Sequence, residues 1–132
     1  MRVLHVISSL STGGAEVMLR KLLVHLDRSR YEAVAVSLTS RSPVGDQIEQ
    51  DGTPVIALRM SSPFGLGLVA ARMRSIVRAH RPHVIHGWMY HGNVAAHLAR
   101  WLSPSGMRPA LITSVRGALH APGAQGFALR AV

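Results

Sequence analysis

The chain has no cysteine, a single lysine, only six acidic residues and no long apolar run. The missing cysteine excludes a disulfide framework and every thiolate metal site, and it fits a reducing compartment. No stretch approaches the roughly 20 apolar residues that span a bilayer, which excludes a transmembrane helix within this sequence. The shortage of carboxylates leaves 15 basic residues against six acidic ones, a formal charge of +9. Because Lys21 is the only lysine, that excess is almost wholly guanidinium, the group that takes phosphate oxygens in pairs. Anionic partners such as nucleotide diphosphates or acidic lipid surfaces are favoured, although solvated helix faces in an Arg- and Ala-rich sequence account for the same count. Nucleic acid is not an expected partner, since the basic residues are dispersed and no recognised binding motif accompanies them.

What is present is enough apolar material, 48% of 132 residues, to build one folded domain. The first residues superficially look like a secretory signal, but His5 interrupts the apolar core and an amphipathic helix follows directly, so they read as a strand. That strand, Val3 to Ile7, runs into a loop containing Ser8, Ser9, Ser11, Thr12, Gly13 and Gly14. Ala15, Met18, Leu19, Leu22, Leu23 and Leu26 then recur at helical spacing, with Glu16 in the first turn where it complements the dipole.

The alternation repeats: a strand over Ala33 to Leu38, a short helix over Val44 to Gln50 stopped by Asp51 and Gly52, and a strand over Pro54 to Leu58. A longer helix carries Leu66, Val69, Ala70, Met73 and Val77 inward and Arg72, Arg74, Arg78 and Arg81 largely outward, closed by Pro82. A strand from Val84, a loop over residues 87–92, a helix from about Asn93 to Leu102 and a strand over Ala110 to Val115 complete the series. Strict β/α alternation predicts an α/β fold, a doubly wound Rossmann-like parallel sheet of about five strands, for which the common order 3-2-1-4-5 is taken.

In such a sheet ligands bind beyond the carboxyl ends of the strands where the order reverses, here between the loops after strands one and four. Gly13 and Gly14 open a helix, where free amides and the dipole can hold a phosphate; a plain structural turn meets the same pattern. Neither a dinucleotide fingerprint nor a Walker loop is present. Residues 86–93 pack His86, Trp88, Tyr90, His91 and Asn93 into eight positions. Histidine can act as a base or bind a hydroxyl, and Trp88 and Tyr90 can stack on a sugar face, while His86 as a strand-end residue and Trp88 as a core plug are the plainer alternatives. No metal site is expected, because this stretch holds no carboxylate and no His-x-x-x-His pair. His80, His83 and His97 read as ordinary surface or packing residues.

The strand Val3 to Ile7 followed by Gly13, Gly14, Ala15 and Glu16, then the run from Pro82 to Asn93 and the triplet Ser114, Val115 and Arg116, resemble the N-terminal domain of family 4 glycosyltransferases, which have the GT-B fold. The resemblance implies retaining transfer of a sugar from a nucleotide diphosphate sugar to a glycan or lipid-linked acceptor, with no cofactor and no required metal. Gly13 and Gly14 would then meet the donor diphosphate, with His91 and Arg116 as catalytic residues and His86, Trp88, Tyr90, Asn93 and His120 on the acceptor side. Relatives often carry a histidine just after strand five, where this chain has Arg116 and next His120. The resemblance further implies that residues 1–132 are an incomplete N-terminal domain, inactive without a C-terminal nucleotide-sugar domain, located in the cytoplasm with peripheral contact to the inner membrane face. The competing expectation is a non-catalytic Rossmann-like module that binds a nucleotide or polyanion.

Overall fold

A computed structural model describes residues 1–61 and 66–116. Nine elements alternate along these residues: β1 (Arg2–Ile7), α1 (Gly14–Val24), β2 (Glu32–Ser37), α2 (Val44–Gln50), β3 (Val55–Ala57), α3 (Leu66–His80), β4 (Val84–Trp88), α4 (Met89–Trp101) and β5 (Ala110–Ser114). The five strands are all parallel, as the alternation predicts, and lie in the expected order β3-β2-β1-β4-β5. Strand β1 is central, and its run of apolar residues is buried on both faces, which is why it lacks the polar alternation of a one-sided strand.

The two faces follow from the two-residue period. Leu4, Val6, Val34, Val36 and Ile85 pack with Val69, Met73 and Val77 of α3 and with Ala95, Ala96 and Ala99 of α4. Ile7, Ala35, Val55 and Trp88 pack instead with Leu19 and Leu23 of α1 and Ile48 of α2. Helix α3 ends where Arg81 takes a left-handed φ of 45° and Pro82 removes a backbone donor.

Two expectations need correction. Residues 87–92 are not a loop: Gly87 and Trp88 finish β4, and α4 starts at Met89 rather than near Asn93. Both glycines serve close packing, since a side-chain carbon on Gly92 would lie 2.6 Å from the Val6 carbonyl oxygen and one on Gly87 would lie 2.7 Å from Asn93 Cα. The chain turns directly from strand to helix through Met89, at a φ of 61°. Secondly, Met18 and Leu22 follow the helical period of α1 but are 37% and 39% exposed.

Candidate functional site

Because β1 and β4 are adjacent and parallel, the segments that leave them emerge side by side at the carboxyl end of the sheet. Between them lies a cleft of about 600 Å³ lined by Ser8, Gly14, Ala15, Glu16, Met89, Tyr90, His91 and Arg116. Two helix N-termini meet it, that of α1 from one wall and that of α4 from the other. Neither has a side-chain cap, with Gly13 and Trp88 at the capping positions, so first-turn amides keep their donor capacity. A side-chain carbon at Gly14 would meet nothing within 4 Å. The space above the first turn of α1 is therefore open. Glu16 is the one carboxylate in the cleft wall, and its side chain curls against Gly13.

Gly14, Tyr90, His91 and Arg116 thus share one cleft, with Gly13 directly behind Gly14. Tyr90 is 67% exposed and His91 is exposed, so both rings are free to meet a ligand. Arg116 holds its guanidinium 5.7 Å from the centre of the Trp88 ring and donates its backbone N–H to Met89 Sδ at 3.3 Å. His86, Trp88 and Asn93 do not line the cleft. Trp88 is 1% exposed and packed into the core, so its ring is not presented as a stacking surface there. Asn93 donates from Nδ2 to the Ser114 carbonyl at 3.3 Å, which ties α4 to the end of β5. His120 lies outside the described residues.

Beneath the cleft is a polar cluster in which the structure joins His5 to His86 and Trp88. His5 and His86 are register partners on β1 and β4, with ring centres 5.3 Å apart. The Trp88 indole N–H donates to His5 Nδ1 at 3.2 Å, which fixes the His5 proton on Nε2, a buried atom with no partner among the described residues. Burial, and then the neighbouring His86, push the His5 pKa down to about 3, so this ring stays neutral. His86 lies 4.7 Å from the Trp88 ring, and its Nε2 is 3.2 Å from Ser114 Oγ. The Ser114 hydroxyl donates on to the Gly87 carbonyl at 3.3 Å, which leaves its oxygen to accept from His86. Burial, and then the charge of Arg116, lower the His86 pKa as well. The signal for this cluster was a lone polar residue inside an otherwise apolar central strand.

Among the described residues no three His, Asp or Glu side chains gather closely enough to hold a metal ion. No described helix is long and apolar enough to cross a membrane. Among the described residues the site's chemistry is amide donors, one guanidinium, one carboxylate and exposed His and Tyr rings, which suits an anionic ligand alongside a hydroxylated one. No curated protein matches the chain. Residues 13–132 match the glycosyl transferase 4-like domain family, and the chain belongs to that family.

Proposed function

We propose that this domain forms the acceptor side of a GT-B glycosyltransferase that moves a sugar, with retained configuration, from a nucleotide diphosphate sugar to a glycan or lipid-linked acceptor. A second Rossmann-like domain would grip most of the nucleotide sugar. The observation that carries this reading is the convergence of two uncapped helix N-termini and Arg116 on one cleft that also presents Tyr90 and His91. Charge develops on the departing diphosphate as the glycosidic bond to the donor breaks. The amides at the start of α1 and the Arg116 guanidinium, which line the same cleft, would meet that charge, and preorganised donors of this kind lower a barrier because they need no rearrangement. His91 and Tyr90 would orient the acceptor hydroxyl from the opposite wall.

Trp88 contributes from below, as the aromatic surface over which Arg116 is held. A direct test is a backbone-amide titration of the chain with a nucleoside diphosphate and, separately, with inorganic pyrophosphate. Shifts should appear at Gly13, Gly14, Ala15 and Arg116 and weaken when Arg116 is changed to Gln. Saturable binding that leaves all four of these amides unmoved would sink the reading.

A further inference from the structure

Three arginines converge at the end of the sheet opposite the cleft. Arg2 opens β1, Arg81 and His83 stand between α3 and β4, and Arg108 stands just before β5. Together they line a single hollow of about 580 Å³. The first two are tied into place. Arg2 Nε donates to the Arg81 carbonyl at 2.9 Å, while its terminal nitrogens make no hydrogen bond among the described residues. The Arg2 backbone N–H donates to His83 Nδ1 at 2.9 Å, so the ring's proton sits on Nε2 as a donor of fixed direction. Arg81 occupies the left-handed region at a φ of 45°, an unfavourable backbone for a long side chain. Gly106, at a φ of 89°, turns the chain that carries Arg108 into the same hollow.

Among the described residues no carboxylate forms an ion pair with this cluster. Of the six acidic residues, Asp46 and Glu49 pair with Arg41, Asp51 pairs with Arg20, Asp27 accepts from Ser29, and Glu16 lies in the cleft. Glu32 is the register partner of Arg2 on β2, yet it makes no ion pair with it and does not line the hollow. Residues 62–65 and 117–132 contain no Asp or Glu. Like charges gathered round one concavity repel unless a counter-ion joins them. We propose that this hollow binds a phosphate group, with the guanidiniums of Arg2, Arg81 and Arg108 taking its oxygens and His83 Nε2–H adding a further donor. A free phosphate and a phospholipid headgroup share that chemistry.

Two probes separate these sources. The 132-residue chain is titrated with inorganic phosphate while backbone amides are followed, and it is sedimented with vesicles of phosphatidylglycerol in phosphatidylcholine against phosphatidylcholine alone. Saturable amide shifts at Arg81, His83 and Arg108 identify a soluble phosphate ligand. Co-sedimentation with the anionic vesicles alone, without a response to inorganic phosphate, identifies a headgroup. In either case Arg108→Gln should weaken binding about tenfold, the loss expected for one charge-assisted contact. Arg81→Asn should do the same, since it removes the charge while asparagine tolerates the left-handed backbone; circular dichroism confirms that each variant folds. The proposal is overturned if neither probe gives a response. It is equally overturned if the response survives both substitutions, or disappears instead in Arg116→Gln, which would place the anion in the cleft.

Discussion

A side chain added at Gly14 would stand in open space above the first turn of α1, so Gly14→Val should fold normally and yet block the approach of a diphosphate to the helix amides. Pyrophosphate-induced shifts at Ala15 and Arg116 should then be lost while the thermal midpoint stays close to that of the parent chain. His91 faces the same cleft from the other wall. In a two-domain enzyme that carries this sequence, His91→Ala should slow transfer roughly 100-fold, the usual worth of a positioned acid, base or orienting group, and spare donor hydrolysis. Equal rates of transfer in variant and parent would remove His91 from the mechanism. His5 makes a different kind of prediction, because its ring is buried and neutral. Its folded pKa of about 3 lies below the unfolded value near 6.5, so the unfolded chain binds the extra proton between those limits. The stability owed to neutral His5 is fully present above about pH 6.5 and is lost as the pH falls toward 3, by roughly 1.4 kcal/mol per pH unit. Urea midpoints measured across that window should show the slope, and His5→Phe should flatten it while costing about 1–3 kcal/mol at neutral pH, where the Trp88 N–H loses its acceptor.

Helix α4 sits closer to the sheet than a helix with ordinary side chains could, and two glycines on different elements allow it. Gly92→Ala would drive a methyl group into the Val6 carbonyl oxygen and Ile7 Cα, which are backbone atoms of the central strand and cannot turn aside. The expected cost is about 1–3 kcal/mol, seen as a lower urea midpoint with the slope of the transition unchanged. Gly106→Ala, where a side chain meets open space, would instead carry only the backbone penalty of a positive φ, which Gly92 does not have. The same glycines explain what could be read beforehand. Strand and helix order and the five-strand series follow from periodicity and from the need of parallel strands for crossovers, whereas the adjacency of β1 and β4 comes from taking the common 3-2-1-4-5 order, which alternation alone does not select. The start of α4 does not follow, because Gly87 and Gly92 look like loop formers until the strand against which they pack is known. Trp88 was legible as either a sugar platform or a core plug, and only the register of β4 on β1 places it above His5 in the core. Met18 and Leu22 show the converse limit: a helical period reports which residues share a side of α1, but not how far round the helix its neighbours reach.

At the scale of the whole molecule the sheet is unevenly covered. Its centre is closed on both faces, whereas β5 is an edge strand among the described residues, with Ile112 and Val115 beside it 48% and 54% exposed. An edge of unpaired N–H and C=O groups next to exposed branched apolar side chains is a template for pairing with another chain. The charge of +9 opposes such pairing at low ionic strength, but its reach shrinks to about 8 Å at physiological salt, too short to hold two edges apart. The isolated chain should therefore self-associate as protein concentration and salt rise, with sedimentation velocity showing species larger than the monomer. Ile112→Lys puts a charge on the exposed part of β5, a device that natural edge strands use, and no core contact is lost because the side chain is already half in solvent. That variant should remain monomeric at concentrations where the parent associates, with an unchanged far-ultraviolet spectrum. A parent chain that stays monodisperse at high concentration and high salt would show that the edge is already protected, and the expected difference between the two proteins would vanish.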